Sequence, residues 1–297
     1  MSSRNNPISA VQKKRTASTT PKKRTVSSSR PSRAPKKAPV KQHYSMPGWL
    51  RNILAVAIVG CFSMVFYYFF IRPYAYRWKP CNGLKEYGVC IPSGYDIHGI
   101  DISHYQGKID WGRLLQNKQT ATPLHFIFMK ATEGGDHNDT TFQTNFANAR
   151  NHGFIRGAYH FYIPGTDALK QADFFIRTVK LDSGDLPPVL DVEVTGRKEK
   201  KELQQGIKRW LDRIESHYGV KPILYTSYKF KTRYLDDSIF NAYPYWIAHY
   251  YVDSVKYQGK WHFWQHTDVG NVPGIKEDVD LNVFNGTLEE LKKLTIK

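Results

Sequence analysis

Acidic residues follow several apolar, strand-like segments of this sequence. Asp101 closes the segment GID, Glu133 closes ATE, Asp191 and Glu193 lie in LDVE, and Asp280 lies in DVDLNVF. Because strand residues two apart face the same side, Asp191 and Glu193 are expected to project together, with Cβ atoms about 6–7 Å apart. Repulsion between two such carboxylates raises the pKa of one of them and keeps a proton on it near neutral pH. The pair therefore predicts general acid chemistry.

The chain from residue 94 to 297 alternates strand-like and amphipathic helical segments. We predict strands over 98–105, 125–132, 155–163, 186–194, 222–227, 245–251, 262–266 and 278–284, and helices over 110–118, 141–152, 167–180 and 199–217. The alternation indicates βαβ units and a parallel sheet, and eight strands are enough to close a barrel. The predicted fold is α/β: an irregular (β/α) barrel of TIM-barrel type.

Each acid, taken singly, has a simpler interpretation. A carboxylate at a strand end is more often a helix cap, an ion-pair partner or a solvated group, and a D-x-E pair occurs by chance in many strands. In a barrel of this type, however, catalytic residues lie at the C-terminal ends of the strands. Acids at four such ends therefore favour a catalytic site there.

Aromatic, histidine and amide residues surround the same strand ends. Sugars present apolar C–H faces and rings of hydroxyl groups, so such side chains suit a carbohydrate cleft, although core packing is the readier explanation for any single aromatic. The histidines show no H-E-x-x-H or comparable spacing, so the sequence predicts no metal site and no cofactor. The predicted substrate-binding residues are Glu133, Tyr105, His160, Tyr162, Tyr225, Trp246, His249 and Gln265.

The first 48 residues form a basic tail rich in Ser, Thr, Pro, Lys and Arg. Residues 1–50 contain 12 Lys or Arg and no Asp or Glu, whereas the rest of the chain contains 31 basic and 26 acidic residues. So little apolar surface predicts disorder. Each Lys or Arg near an anionic membrane gains about 1 kcal/mol, so anionic lipid is the predicted partner of the tail. Its basic clusters also fit permissive nucleic-acid patterns, but the next segment argues against that partner.

An uncharged apolar segment follows the tail. Residues 53–71, ILAVAIVGCFSMVFYYFFI, would span about 28 Å as a helix, close to the thickness of a bilayer core. We predict a transmembrane helix over 49–72, because a buried helix usually shows a polar stripe and a cleaved signal peptide a small-residue cleavage site. The short basic tail is hard to translocate, so the N-terminus is predicted in the cytoplasm.

Cys81 and Cys90 lie in a predicted linker over 73–93. They flank turn-forming residues in the segment PCNGLKEYGVC. Just beyond a membrane, in an oxidising compartment, a disulfide between them is the favoured interpretation. Two free thiols, or half of a metal site, are the alternatives.

Eight sequence blocks carry a family resemblance. In order they are GIDISHYQGKIDW, FIFMKATEG, GAYHFY, PPVLDVE, PILYTS, YWIAHY, FWQHTD and DVDLNVF, from about residue 98 to 284. They closely resemble the glycoside hydrolase family 25 lysozymes, also called N-acetylmuramidases. The resemblance implies an irregular β/α barrel that cleaves the β-1,4 bond between N-acetylmuramic acid and N-acetylglucosamine in peptidoglycan glycan strands.

The resemblance also implies a catalytic set. By the family's pattern Glu193 is expected to be the general acid that protonates the leaving glycosidic oxygen, with Asp191 as its close carboxylate partner. Asp101 and Asp280 are expected to complete an acidic ring that orients the sugar or stabilises the charge developing on it. A carboxylate, an activated water and the acetamido group of the substrate remain alternatives for the second step.

The N-terminal region departs from the common layout of the family, in which many members are secreted and carry wall-binding repeats. A basic tail and one span take that place here, which predicts a single-pass cytoplasmic (inner) membrane protein with a periplasmic or otherwise extracytoplasmic catalytic domain. Such an enzyme would remodel the wall of its own cell. The alternative is a catalytically weak, membrane-anchored peptidoglycan-binding or scaffold protein, against which the intact acids argue.

The predicted topology is tested by reporter fusion. A reporter placed after Lys297 is expected to be active only outside the cytoplasm, because the 12 positive charges of the tail oppose its translocation. The same reporter placed before Met1 is the matched control and is expected to be active only inside. A cytoplasmic signal from the C-terminal fusion would contradict the topology.

Overall fold

The computed structural model describes residues 45–72, 81 and 83–297. The predicted tail up to residue 44, and residues 73–80 and 82 of the predicted linker, lie outside the described residues. Helix α1, Gly48–Phe66, continues as a π-helical turn over Tyr67–Ile71, and α1 has no buried residue. Its length and composition suit a bilayer crossing, and a signal sequence shares both properties.

Strands and helices alternate over residues 83–297. The strands are β1 Lys85–Glu86, β2 Val89–Cys90, β3 Ile97–Ile102, β4 Leu124–Glu133, β5 His137–Asn138, β6 Ile155–Phe161, β7 Val189–Asp191, β8 Ile223–Ser227, β9 Tyr245–Ala248, β10 Phe263–Gly270 and β11 Val279–Phe284. The α-helices are α2 Trp111–Gln116, α3 Phe142–Asn151, α4 Ala168–Thr178, α5 Lys200–Tyr218, α6 Tyr228–Tyr234 and α7 Leu288–Leu294. The four predicted helices correspond to α2–α5, whereas α6 and α7 were not predicted.

Eight strands form a closed sheet. Their order is β3–β11–β10–β9–β8–β7–β6–β4, and pairing between β3 and β4 completes the ring. The neighbours pair in parallel except at β11, which is antiparallel to both β10 and β3. The prediction of a parallel sheet was therefore wrong for the last strand. The antiparallel direction of β11 has a physical cause. The connection from β10 over 271–278 is short, and parallel strands need a longer crossover.

Aromatic side chains fill the inside of the barrel. Phe128 stacks on Trp246 with ring centroids 4.4 Å apart, and Phe263 contacts both Phe126 and Phe128. Gly157 lies against this cluster, where an added Cβ would come within 2.5 Å of the Phe128 ring. The middle of the barrel is thus densely packed, and polar side chains are left to its ends.

The segment before the barrel packs against it, although residues up to 93 were predicted to be linker. Strands β1 and β2 form a hairpin, and Cys81 is joined to Cys90 by a disulfide. Tyr87 in the hairpin is buried, and its hydroxyl donates to the Thr122 carbonyl while its own carbonyl accepts from the Asn271 N–H. The hairpin that contains Tyr87 is therefore packed against the barrel.

Candidate active site

Four acidic side chains meet at one end of the barrel. Asp101 lies near the end of β3, Asp191 ends β7, and Glu193 follows two residues later. Asp280 is at the start of β11, but because β11 is antiparallel its first residues lie beside the ends of the other strands, and Asp280 is the register partner of Asp101. Asp101 and Asp191 are buried, Asp280 is half-buried and Glu193 is exposed.

Hydrogen-bond donors surround Asp101. Its Oδ2 accepts from Gln265 Nε2 and from Asn282 Nδ2, each at 2.7 Å. Burial raises the pKa of Asp101 above its usual range, these two N–H groups lower it, and the charge of Glu193 raises it again. Asp101 is therefore a buried acid whose ionised form has dedicated donors.

Asp191 and Asp280 differ from Asp101 in their surroundings. Asp191 Oδ1 is buried and has no hydrogen-bond partner among the described residues. Burial raises the pKa of Asp191 well above its usual value, and the charges of Glu193 and Asp101 raise it further. Burial also raises the pKa of Asp280, followed by the charges of Asp101 and Asp268. Both groups therefore hold a proton more tightly than a free aspartate.

Three tyrosines contribute phenol groups next to the acids. Tyr225 and Tyr250 donate to Gln265 Oε1, the former at 2.6 Å. Burial raises the pKa of Tyr159 well above its usual value, and the nearby charges of Asp101 and Asp191 raise it further. These phenols therefore stay protonated, and Tyr225 and Tyr250 act as donors.

Three residues around the acids, Tyr159, Asn282 and Lys130, were not predicted from the sequence. Tyr159 lies two residues before Phe161, the register partner of Asp191, and Asn282 lies two residues after Asp280. Residues two apart on a strand face the same side, so each lies on the side of the acids. Lys130 forms an ion pair with the predicted Glu133 at 2.6 Å between Nζ and Oε2, which neutralises a half-exposed acid at the end of β4. Lys130 also lowers the pKa of Asp191 against the larger effects of burial and neighbouring carboxylates.

Three predicted substrate-binding residues lie beneath the acids instead of lining an open cleft. Tyr225, Trp246 and Gln265 are 5%, 2% and 2% exposed. Trp246 Nε1 donates to Asn282 Oδ1 at 2.7 Å, and Gln265 donates to Asp101. The structure therefore places them behind the site, as supports of the carboxylates.

Two predicted residues are corrected, because they lie on the outer side of the sheet. His160 stacks on Trp210 of α5 and bonds Thr132 Oγ1 through Nδ1 at 2.7 Å, and its Nε2 is 3.1 Å from Gln171 Oε1. Tyr162 is buried with its hydroxyl against Gly206 of α5. Neither faces the acids, since successive strand residues point to opposite sides.

The two remaining predicted residues lie past the ends of strands. Tyr105 follows β3 and is 73% exposed, with its ring against His104. His249 follows β9, and its ring stacks on Tyr228 at 4.6 Å. Among the described residues, no group of three or more His, Cys, Asp or Glu has an arrangement suited to a metal ion.

The barrel is similar to known proteins. Residues 100–275 match the family described as Glycosyl hydrolases family 25. Lysozyme M1 of Streptomyces globisporus is 32% identical over 213 residues, which cover 67% of this chain and 71% of that protein. The uncharacterized protein YegX of Escherichia coli K12 is 43% identical over 224 residues, which cover 75% of this chain and 80% of that protein. The bacterial lysozyme structure from Streptomyces coelicolor has a TM-score of 0.63 at 32% identity and covers 68% of this chain and 98% of its own.

The chain belongs to glycosyl hydrolase family 25. The match over residues 100–275 covers the closed barrel from within β3 to β10 and includes Asp101, Asp191 and Glu193.

The raised pKa of the buried Asp191 predicts a pH-dependent effect on stability. In the folded protein Asp191 keeps its proton as the pH rises above about 4, where the unfolded chain loses it, so wild-type stability falls with rising pH through this group. Asp191→Asn removes that loss. The thermal unfolding midpoint of the variant is expected to exceed that of wild type at pH 7–8 but not at pH 4, with each 1 kcal/mol worth about 2–4 °C.

Asp253→Asn is the matched control, because Asp253 is exposed. It is expected to leave the midpoint unchanged at both pH values. An Asp191→Asn variant whose midpoint follows wild type at every pH would contradict the raised pKa.

Proposed function

We propose that this family 25 glycosyl hydrolase is a muramidase, which hydrolyses the β-1,4 bond between N-acetylmuramic acid and N-acetylglucosamine of peptidoglycan. The observation that carries the proposal is the set of four carboxyl groups brought together at one barrel end, three of them within the family match over residues 100–275 and the fourth, Asp280, paired with Asp101. Relatives in the same family are named lysozyme and N,O-diacetylmuramidase. The barrel is read as an irregular member of the TIM-barrel type, in which the C-terminal ends of the strands carry the active site.

Glu193 is proposed as the general acid. It is the exposed member of the four acids, so a glycosidic oxygen can approach it without displacing core residues. Its neighbour Asp191 lies two residues before it at the end of β7, where the Val192 N–H donates to the Tyr225 carbonyl at 3.0 Å and holds the chain against β8. Glu193 would protonate the leaving oxygen as the glycosidic bond breaks.

Asp101 and Asp280 are proposed to act on the sugar, either by orienting it or by stabilising the charge that develops on it. Glycoside hydrolysis passes through an oxocarbenium-like transition state, in which positive charge develops on the sugar ring. A fixed negative charge next to that ring stabilises the transition state more than the neutral substrate. Asp101, with two donors on one oxygen, is the acid best arranged to supply the charge.

The N-terminal region is proposed to tether the enzyme. Helix α1 and the following turn supply 24 residues that would cross the bilayer, with the basic tail in the cytoplasm against anionic lipid and the barrel outside. The Cys81–Cys90 disulfide fits an oxidising compartment. A tethered muramidase would act on the wall of its own cell.

A wall-binding protein without catalysis is the second candidate, and it is not favoured. Recognition of a glycan does not require the burial of several carboxyl groups at one point, which is costly. Asp191, with a buried oxygen that has no partner among the described residues, is the clearest example of this cost.

Glu193→Gln tests the proposed acid. The amide has nearly the same shape but cannot donate the acid's proton, so hydrolysis of peptidoglycan is expected to fall by about 10²- to 10⁴-fold while the unfolding midpoint is retained. The rate is measured on full-length protein in detergent with purified peptidoglycan.

Glu199→Gln is the matched control, since Glu199 is an exposed glutamate six residues further on, just before α5. It is expected to retain the wild-type rate. If Glu193→Gln stayed within a few-fold of wild type, the acid would lie elsewhere, with Glu133 as the next candidate.

A further inference from the structure

Two carboxamide side chains converge on one oxygen of Asp101. Gln265 in β10 and Asn282 in β11 are register partners in the antiparallel pair, and both donate to Asp101 Oδ2 at 2.7 Å. They are 2% and 1% exposed, so water does not compete for these bonds. The second carboxylate oxygen, Oδ1, takes no part in this contact.

The orientation of the Asn282 amide is determined by Trp246. An indole N–H is a donor only, and Trp246 Nε1 lies 2.7 Å from Asn282 Oδ1. The carbonyl end of Asn282 must therefore face the tryptophan, and its NH₂ group must face Asp101. Trp246 is itself held by stacking on Phe128 and by an edge contact with Tyr225.

The orientation of the Gln265 amide is determined by two phenols. Tyr225 and Tyr250 both donate to Gln265 Oε1. Burial raises the pKa of both tyrosines, so each keeps the proton that it donates. With its carbonyl occupied by two donors, Gln265 presents only N–H groups to Asp101.

The two N–H donors affect the protonation of Asp101. Oδ2 accepts both N–H bonds and therefore carries no proton directed at those donors. Two such donors stabilise the ionised carboxyl more than the neutral one, so they oppose the rise of the pKa to about 7 that burial causes. Asp191 has a buried oxygen without such a donor among the described residues. The titratable groups around Asp101 are Asp191, Glu193, Asp280, Tyr159, Tyr225 and Tyr250.

We propose that Gln265 and Asn282, oriented by Tyr225, Tyr250 and Trp246, are positioning residues that make Asp101 the buried carboxylate carrying the negative charge of the cluster. None of the five needs to touch the substrate. The use made of that charge, to stabilise the positive sugar ring, rests on the proposed function. The ionisation of Asp101 does not depend on it.

The test is a titration of Asp101 in the full-length protein in detergent, without substrate. Infrared difference spectra report carboxyl ionisation as the pH is changed, and Asp101→Asn identifies the Asp101 band. Gln265→Met has nearly the same length but no N–H donor, so it is expected to increase the proton affinity of Asp101 by about 10- to 100-fold, or one to two pH units. The acidic limb of the kcat/KM profile is expected to move upward with it.

Trp246→Phe is the second variant, and Trp264→Phe is its matched control. Both tryptophans are fully buried in neighbouring strands and donate one N–H bond, but Trp264 donates to the His249 carbonyl and not toward Asp101. Trp246→Phe is expected to shift the Asp101 titration upward, and Trp264→Phe is expected to leave it in place. If Gln265→Met does not fold, the difference in Asp101 titration between the two tryptophan variants tests the proposal.

An unchanged titration in folded Gln265→Met, or equal shifts in the two tryptophan variants, would overturn the proposal. A fall in activity by the same factor at every pH, without a shifted limb, would count against it as well. Failure of wild type to hydrolyse peptidoglycan would instead overturn the proposed function and leave the titration result standing.

Discussion

Burying several carboxyl groups at one end of a barrel costs free energy, because burial removes the water that stabilises their charge and brings like charges together. The site meets this constraint differently for each acid. Burial raises the pKa of Asp101 to about 7, but two amide donors oppose that rise. Burial and neighbouring charges raise the pKa of Asp191 and of Asp280, and Glu193 is exposed to solvent. Four chemically equal side chains thereby become unequal, which is what acid catalysis requires.

The reversed direction of β11 is what assembles this end of the barrel. Because β11 is antiparallel to β3, its first residues lie beside the last residues of β3, so Asp280 is paired with Asp101. The same strand then brings Asn282 alongside Gln265 of β10. A parallel last strand would have carried these residues to the opposite end.

The sequence predicted the strands and helices of the barrel and the positions of the acids better than the residues that hydrogen-bond to those acids. The motif blocks and strand-end acids located Asp101, Asp191, Glu193 and Asp280, but side assignment failed at His160 and Tyr162, which face the helices. Both sides of a barrel strand are buried and apolar, so alternation by itself does not distinguish inside from outside. The direction of β11 depends on one short connection, and the roles of Trp246 and Gln265 depend on contacts between strands.

The identity of the product tests the central claim most directly. Full-length protein in detergent is incubated with peptidoglycan, the new ends are reduced, and the fragments are identified by mass spectrometry. A muramidase that works by hydrolysis is expected to leave reducing ends on muramic acid, with no anhydro product. Reducing ends on glucosamine, or no new ends at all, would contradict the account.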